Sequence, residues 1–471
     1  MQSQRIYVWW IASVAALGGL LFGYDWVVIG GAKPFYEAHF GLTSPSQQGW
    51  AMSCALIGCL LGALLSGVLS EKFGRKPALI AAALVFTVSS IATGMAGTFE
   101  QFVAARILGG LAIGLASSLS PMYIAEVSPA ALRGRLVTLN ELTIVIGILM
   151  AQITNWLIGR GHCTAAGFQT AQGFAQCNAT LLAHDAAVGW RWMFGATAVP
   201  AAVFLLGMFS VPESPRWLAL RDREDEARRT LERLGGPENA AAVLAEIESS
   251  VHAGEHRNQL SVELRMLLGP GLRRVLLLGV GLAVLQQWCG INVIFNYAQN
   301  IFLAAGYSLS DILFNIVVTG ITMLLFTFLA IATVDRNGRR ILMLSGCAAL
   351  VIVYAALGYF FRIHSTGVHM LVLVVAALAA YAMTLAPVTW VVLSEIFPGR
   401  VRGTAMALAT ASLWAACFVL TYTFPLLNAA LGTAGTFWVY ACVCLVGFFG
   451  VKRWLPETKG QTLEEIESFW R

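Results

Sequence analysis

The chain has 471 residues, of which 58% are hydrophobic and only 12% are charged, and its mean hydropathy is +0.72. Soluble domains carry roughly 25% charged residues, so the composition excludes an ordinary soluble protein and indicates a protein of the lipid bilayer. The net charge of +5 follows from the placement of Lys and Arg around the membrane, so we expect no nucleic-acid partner.

Apolar runs recur along the whole chain at a length of about 20 residues, which lets a helix cross roughly 30 Å of hydrocarbon. They predict an all-α membrane protein with twelve transmembrane helices. In chain order the predicted spans are 9–30, 48–70, 77–97, 101–124, 137–159, 190–211, 272–303, 311–334, 341–361, 368–393, 404–427 and 433–454.

The positions of Lys and Arg predict the orientation of these spans. With Met1 in the cytoplasm, most of the 30 basic residues fall inside, and the outside loops hold only Lys33, Arg160, Arg191 and Arg362. We therefore expect a multi-pass protein of the cell (plasma or inner) membrane with both termini cytoplasmic. Cys163 and Cys177 share one outside loop, where an oxidising compartment would allow a disulfide.

The same charge pattern occurs twice along the chain, which indicates an internal repeat. The repeated segments are EKFGRK at 71–76 and DRNGRR at 335–340, Glu126 with Arg133 and Glu395 with Arg402, and PESP at 212–215 and PET at 456–458. In a membrane protein such a repeat indicates a carrier whose substrate site lies between two homologous halves. We predict an N-terminal six-helix bundle (1–211), a cytoplasmic helical linker (212–271), a C-terminal six-helix bundle (272–455) and a cytoplasmic C-terminal segment (456–471). Within the linker, the charge-rich segment from Asp222 to Leu234 is predicted to form a short amphipathic helix.

Other functional classes find little support in the sequence. No Walker loop, nucleophile elbow or metal-ligand cluster occurs, and the seven His residues are scattered in loops. We therefore expect no enzyme activity, no cofactor and no metal. A non-transporting sensor with the same fold would typically need a long cytoplasmic tail, and only about 17 residues follow the last predicted span.

Seven motifs in order resemble those of the sugar porters of the major facilitator superfamily, the family of the bacterial xylose:proton symporter and the animal glucose transporters. They are FGYD at 22–25, GRK at 74–76, PMYIAE at 121–126, PESPRWL at 212–218, QQWCGIN at 286–292, SEIFP at 394–398 and PETKG at 456–460. The resemblance implies two six-helix bundles and alternating access, with a monosaccharide (hexose or pentose) as substrate and protons as the coupling ion. It implies no further partner beyond the lipid bilayer, and we expect a monomer.

Asp25 and Arg106 are charged residues that lie well inside predicted spans, where a charge costs at least about 2.5 kcal/mol. Asp25 on the first span and Arg106 on the fourth fall at a similar depth at about 1.5 Å per residue, so they are predicted to pair. A static ion pair between two helices is one interpretation. The other follows the resemblance: in proton-coupled sugar porters the matching Asp is protonated, whereas facilitators often carry a neutral residue there.

The resemblance also implies a substrate site. Gln286, Gln287 and Asn292 stand at sugar-contacting positions beside Gly290, a glycine that weakens the helix of this span. Amides can both donate to and accept from sugar hydroxyls. Aromatic residues at family positions complete the predicted site, namely Trp390, Trp414, Tyr297 and Phe22. For each of them simple packing is the alternative.

Glu141 is an acid where many hexose and pentose porters carry a Gln, and a Glu there is familiar in polyol and inositol carriers. It is interpreted either as a substrate or coupling residue or as a solvated residue near the cytoplasmic edge. Further departures from the family are Leu413, Met323, Cys417, Asn296 and Ala386. They leave fewer hydrogen-bonding groups in the C-terminal half and put the substrate in doubt, so an inositol or other polyol stays an alternative.

The repeated charges are predicted to form a cytoplasmic gate that pairs across the two halves when the cytoplasmic end is closed. The gate residues are Glu71, Arg75, Glu126, Arg133, Asp335, Arg339, Glu395 and Arg402. The alternative is a topology signal of solvated loop charges. Repetition of both signs at matched spacing favours the gate.

Overall fold

The structure is a computed structural model that describes residues 2–160, 185–237, 240–241, 243–245, 265–269, 272–307, 309–398, 401–459 and 461. Within these residues the regular structure is helical, and no strand occurs. The helices are α1 (Gln2–Phe40), α2 (Pro45–Phe73), α3 (Arg75–Met95), α4 (Phe99–Val127), α5 (Ala130–Arg160), α6 (Trp190–Gly195), α7 (Ala198–Ser210), α8 (Pro215–Ala219), α9 (Glu224–Gly235), α10 (Leu272–Trp288), α11 (Ile291–Asn296), α12 (Ala298–Ala304), α13 (Leu309–Asn337), α14 (Arg339–Arg362), α15 (Val368–Met383), α16 (Leu385–Ile396) and α17 (Arg402–Trp454). The predicted Cys163–Cys177 pair lies outside the described residues.

Eleven helical segments of the described chain are long and apolar enough to cross a membrane. The last of them, α17, is 53 residues long and contains Gly432 at φ 68. This left-handed conformation, which glycine adopts without steric cost, divides α17 into two helices. The predicted spans 404–427 and 433–454 lie on either side of this glycine, so the prediction of twelve crossing helices is confirmed.

Among the crossing segments that are interrupted rather than continuous are two that lie in the second half of the chain. α10 ends at Trp288, and α11 begins after Gly290, which has φ 85. The predicted span 368–393 is likewise broken at Thr384 (φ −127, ψ −85), between α15 and α16. The Thr384 hydroxyl donates to the Ala380 carbonyl at 2.6 Å. Broken helices in carriers free backbone groups at the level of the substrate, and the sequence indicated only the break at Gly290.

Contacts divide the chain into two compact units. Unit 1 comprises Met1–Trp26, Ile57–Met150 and Phe194–Gln259, and unit 2 comprises Val27–Leu56, Ala151–Met193 and Leu260–Arg471. These units are defined by contacts and do not test the predicted boundaries. The division into halves at 1–211 and 272–455 therefore stays a prediction.

Unit 1 is held together by close packing of small residues, which is typical of helices in lipid. A Cβ at Gly58 or Gly62 of α2 would lie 2.1 Å from the carbonyl oxygen of Ile107 or Leu111 on α4. In unit 2, α14 packs on α17, where the rings of Phe361 and Phe437 stack with centroids 5.6 Å apart.

The linker contains the amphipathic helix that the sequence predicts between Asp222 and Leu234, observed as α9. Its apolar face packs into a small core with α8, formed by Trp217, Leu218, Ala227, Leu231, Ala240 and Leu244. The Trp217 indole donates to the Glu71 carbonyl at 2.9 Å, and Arg233 lies over the Tyr7 ring at 4.7 Å. The linker helices are therefore anchored to α2 and α1 within unit 1.

Candidate functional site

A buried ion pair joins α1 to α4 in unit 1. Arg106 Nη1 donates to Asp25 Oδ1 at 2.5 Å, and both side chains are more than nine-tenths buried. The guanidinium also lies 5.3 Å from the centre of the Phe194 ring. The predicted pairing of Asp25 with Arg106 is confirmed, while its role in proton binding stays a prediction.

Close approach of α1 to α5 fixes the backbone beside Asp25. A Cβ at Gly23, two residues before the aspartate, would lie 1.9 Å from the Ile144 carbonyl oxygen. Only a glycine allows this approach, because any side chain would collide with α5 backbone. The sequence FGYD therefore places its acid on a helix that is held tightly by a neighbour.

Three amides of unit 2 form a chain of hydrogen bonds. Asn292 donates to the Gln287 side-chain oxygen, Gln287 donates to Gln286 Oε1 at 2.6 Å, and Gln286 donates to the Tyr381 hydroxyl at 2.9 Å. All three amides are more than nine-tenths buried. The structure therefore brings Gln286, Gln287 and Asn292 together, and Tyr381 extends the cluster to α15, while their role in sugar binding stays a prediction.

The helix break at Gly290 makes this chain possible. Residues five apart on a continuous helix point about 140° away from each other, so Asn292 would not reach Gln287. The left-handed turn at Gly290 redirects α11 and brings the two side chains together. A Cβ at Gly290 would also lie 2.8 Å from the Tyr440 ring, so the turn and the packing both require glycine.

The predicted aromatic residues of unit 2 differ in exposure. Trp414 is buried, and Trp390 is half-buried. Tyr297 is 1% exposed, donates its hydroxyl to the Thr421 carbonyl at 2.8 Å and packs against Phe424 with ring centroids 4.3 Å apart. Tyr297 is thus fixed in one orientation at the C-terminal end of α11.

The departures from the family pattern are also in this region. Cys417 lies 3.7 Å from the Asn292 amide nitrogen and 4.0 Å from the Thr421 hydroxyl. Met323 and Leu413 are buried. The sulfur and the two apolar side chains leave the amides as the main hydrogen-bonding groups at these positions.

Glu141 and Phe22 belong to unit 1. The Glu141 side chain is exposed although the residue lies in the membrane-spanning part of α5. By helix geometry it shares a face with the buried Val145 and Ile148, and it points opposite to the exposed, apolar Met150. Glu141 therefore does not lie on the exposed apolar face of α5. Phe22 is half-buried and contacts Trp26 edge-on at 5.7 Å.

The repeated charges form two equivalent clusters, one in each unit. In unit 1, Arg75 makes two hydrogen bonds of 3.0 Å to the Glu126 carboxylate, which also accepts from the Ser214 hydroxyl at 2.5 Å. The Glu213 carboxylate accepts from the backbone N–H groups of Arg75 and Lys76. It thereby caps the N-terminus of α3, where a negative charge is favourable.

In unit 2 the same contacts recur. Arg339 donates to Glu395 at 3.3 Å, the Thr458 hydroxyl donates to Glu395 at 2.6 Å, and Glu457 accepts from the backbone N–H groups of Arg339 and Arg340. Each capped helix follows a glycine with positive φ, Gly74 or Gly338. The third repeated motif, whose role the sequence did not reveal, therefore supplies the helix caps.

The remaining predicted gate residues take less part in the two charge clusters. Glu71 and Arg133 are exposed, and Glu71 contributes its backbone carbonyl to Trp217 and Arg221. Arg402 donates to the Phe397 carbonyl at 3.1 Å. Asp335 lies in α13, and its side chain falls outside the described part of the structure.

Burial raises the pKa of the Glu213 carboxyl, and hydrogen bonds from the backbone of Ser214, Lys76 and Arg75, with the charge of Arg75, oppose this rise. Glu213 follows the membrane span 187–210. Glu213 therefore holds a proton more readily than an ordinary glutamate does, although it caps a helix.

A family model for "Sugar (and other) transporter" matches residues 11–470 of the chain. The chain belongs to this sugar transporter family. It is 36% identical to the D-xylose-proton symporter of Escherichia coli over 100% of this chain and 97% of that protein. It is also 36% identical to the arabinose-proton symporter of Bacillus subtilis over 98% and 94% of the two chains. The galactose-proton symporter of Escherichia coli is 35% identical over 99% and 95%.

Solved structures of this sugar transporter family have the same fold. An inward open conformation of the xylose transporter from Escherichia coli superposes with a TM-score of 0.83 and 35% identity, over 99% of this chain and all of the other. A structure of a proton:xylose symporter bound to 6-bromo-6-deoxy-D-glucose gives a TM-score of 0.79. The prediction of a twelve-helix major facilitator fold is thereby confirmed.

The sequence analysis did not assign three of the contacting residues to these sites, namely Tyr381, Glu213 and Glu457. A tyrosine in the middle of an apolar run needs a partner for its hydroxyl, and this was the available signal for Tyr381. For the two glutamates the signal was the repeat of PES and PET. Both signals identify a residue type, but neither identifies the atoms it contacts.

Proposed function

We propose that this sugar transporter carries a monosaccharide, a pentose or a hexose, across the membrane in symport with protons by alternating access. The observation that carries the proposal is the buried Asp25–Arg106 pair, which places an acid inside a membrane span in direct contact with a positive charge. Relatives of 35–36% identity named for symport of protons with xylose, arabinose or galactose support the same function.

Protonation of Asp25 is the coupling step in this proposal. A neutral carboxylic acid no longer balances the Arg106 guanidinium, so the attraction between α1 and α4 weakens. A carrier whose two end states differ by a few kcal/mol is shifted between them by a change of this size. The proton enters with the sugar and leaves when Asp25 pairs with Arg106 again.

The amide chain is the proposed sugar site. Sugar hydroxyls can replace the hydrogen bonds that Gln286, Gln287 and Asn292 now make with one another, so binding leaves no buried amide without a partner. The aromatic residues of the same unit offer ring faces to the sugar, and they are Trp390, Trp414 and Tyr297. Phe22 remains a proposed lining residue of unit 1.

A polyol or inositol symporter is the second candidate, and Glu141 is the observation that favours it. This exposed acid lies within a span but away from the exposed apolar face of α5, as expected for a side chain that meets a polar substrate. A proton-independent facilitator is the third candidate, in which Asp25 and Arg106 serve only to join two helices.

For the repeated charges we propose a role in closing the cytoplasmic end. The two ion pairs, Arg75–Glu126 and Arg339–Glu395, each lie within one repeat, and pairing across the repeats stays a prediction.

The bias of Lys and Arg supports the proposed orientation in the cell membrane with both termini inside. The monomeric state likewise stays a prediction from the sequence.

Uptake into proteoliposomes tests the proposal. Labelled xylose, glucose, galactose, arabinose, inositol and mannitol are each offered with and without an inward proton gradient. Accumulation above equilibrium that a protonophore abolishes supports symport and identifies the substrate. Equilibration that ignores the gradient indicates a facilitator, and accumulation of inositol or mannitol alone supports the polyol candidate.

A further inference from the structure

A second buried ion pair lies on α1 in unit 2, eight residues or more beyond Asp25 along the sequence. This end of α1 is the one that is predicted to face outside. Lys33 Nζ lies 2.8 Å from Glu37 Oε2, one helical turn away, and the two side chains are only 4% and 13% exposed. The sequence predicted Lys33 in an outside loop, whereas the structure buries it on a helix that is a candidate membrane span, Gln4–Phe40. Ionisable residues buried in such a span are costly and are by default functional candidates. The mechanism proposed above uses neither Lys33 nor Glu37.

The Glu37 carboxylate is only half satisfied. Its Oε2 accepts from Lys33, whereas Oε1 is buried and has no hydrogen-bond partner among the described residues. The exposed pair Arg223–Glu226 on α9 differs, since there both carboxylate oxygens accept from the guanidinium. Lys33 is therefore the cation that contacts the buried carboxylate of Glu37.

Lys33 also contacts the proposed sugar site. Its ammonium lies 5.7 Å from the centre of the Tyr297 ring, and an aromatic face attracts such a cation. Tyr297 is held by Thr421 and Phe424 and belongs to the aromatic set of the sugar site. A sugar that occupies the Tyr297 face would compete with the Lys33 ammonium for it.

The other charged or titratable groups near Glu37 are few among the described residues. Tyr297, at the junction of α11 and α12, lies against Lys33 and interacts electrostatically with Glu37, and Tyr440 of α17 interacts with Tyr297. His39, two residues along α1, is 3.2 Å from Arg191. Arg191 therefore brings a positive charge beside His39 at this end of α1.

We propose that Glu37 is a second proton-binding site, which takes up a proton from the outside solution when sugar at the Tyr297 face displaces Lys33. Lys33 stays charged throughout, and the proton converts the isolated carboxylate into a neutral acid, because a buried carboxylate without its partner is strongly unfavourable. When the sugar leaves, Lys33 returns and the proton is released. The inference rests on the proposed transport of a sugar, and it adds a proton-linked group to it.

The test uses Asp25→Asn protein, in which the primary coupling group cannot titrate, and labelled D-xylose in counterflow exchange. We expect the KM for outside xylose to rise about fivefold or more as the outside pH is raised from about 5.5 to 8. Adding Glu37→Gln should remove this dependence and hold the KM at its low-pH value. Lys33→Met should do the same, and the two changes together should add nothing.

Glu226→Gln, at the exposed pair on α9, is the matched control and should leave the pH dependence of the KM intact. A KM that varies with pH equally in the presence and absence of Glu37 overturns the proposal. So does a KM in Asp25→Asn protein that does not vary with pH. Failure of the proposed symport is a different result, namely no accumulation by the unchanged protein under a proton gradient.

A direct measurement covers the case in which the Glu37 variants do not fold. Xylose is added to Asp25→Asn protein in weakly buffered detergent near neutral pH while a dye reports the proton concentration. We expect proton uptake that saturates with xylose. A signal no larger than that from a non-transported sugar contradicts the second proton site.

Discussion

Asn292 donates a hydrogen bond to Gln287 although five residues separate them, because the left-handed Gly290 interrupts the helix between the two side chains. This relationship links an ordinary glycine in an apolar run to the chemistry of the site. It gathers three amides that would otherwise lie on different faces of a helix. The site therefore depends on the glycine as well as on the amides.

Replacing Gln287 with Ala removes the middle of the amide chain. The change deprives Asn292 and Gln286 of their shared partner and costs a bound sugar at least one hydrogen bond, so we expect the KM to rise about tenfold. Initial rates of uptake over a range of sugar concentrations measure it. Gln299→Ala, at a buried glutamine of α12 outside the chain of amides, should leave the KM within about twofold. Equal effects of both changes would argue against a sugar site at Gln287.

Gly290→Ala should destabilise the protein. The added Cβ meets the Tyr440 ring at 2.8 Å, and alanine disfavours φ 85, so we expect a cost of about 1–3 kcal/mol and a lower melting temperature. Gly281→Ala on α10 is the matched control, because a Cβ there meets nothing within 4 Å. It should leave the melting temperature unchanged or raise it, since alanine favours a helix by about 1 kcal/mol over glycine. Similar melting temperatures for the two variants would contradict the proposed constraint.

The two charge clusters predict an order of stabilities. Arg75 and Glu126 are 8% and 9% exposed, whereas Arg339 and Glu395 are 14% and 22% exposed. Loss of a charge from a more buried pair costs more, so Glu126→Gln should lower the melting temperature further than Glu395→Gln. Fluorescence-detected thermal unfolding in one detergent compares them. The reverse order would show that burial does not decide the strength of these pairs.

Protonation of Glu213 predicts a pH dependence of stability. The folded protein raises the pKa of this carboxyl above its ordinary value of 4.5. Its contribution to stability is therefore fully present below pH 4.5 and is lost as the pH rises through the raised pKa, because the unfolded chain releases the proton first. Glu213→Gln does not titrate, so the stability of the unchanged protein relative to this variant should fall as the pH rises above 4.5 and through the raised pKa. A difference that is constant or grows with pH would contradict this.

Periodicity and composition predict much of the fold because lipid imposes strong constraints on a sequence. The twelve spans, the α9 segment of the linker and the break at Gly290 were all predictable from apolar length, amphipathic pattern and glycine. The break at Thr384 was not, because a threonine within an apolar run gives no signal that its backbone leaves the helix. The Asp25–Arg106 pair was predictable because both charges are rare at that depth in a span.

The contacts of the site were less predictable than its members. The repeat of PES and PET marked Glu213 and Glu457, but only the structure shows that each caps a helix through backbone N–H groups. Tyr381 ends the amide chain from a helix about 95 residues away in the sequence, and no local pattern relates it to Gln286. The pairing of Lys33 with Glu37 follows i, i+4 spacing, yet its burial depends on tertiary packing.

The most direct test of proton coupling at Asp25 compares two modes of transport in Asp25→Asn protein reconstituted in liposomes. One is accumulation of labelled sugar under an inward proton gradient, and the other is counterflow exchange without a gradient. If Asp25 couples protons to sugar, the variant loses accumulation above equilibrium but retains exchange, because Asn preserves a hydrogen bond to Arg106 without a titrating group. Accumulation at the level of the unchanged protein would contradict this coupling and reduce Asp25 and Arg106 to a structural pair.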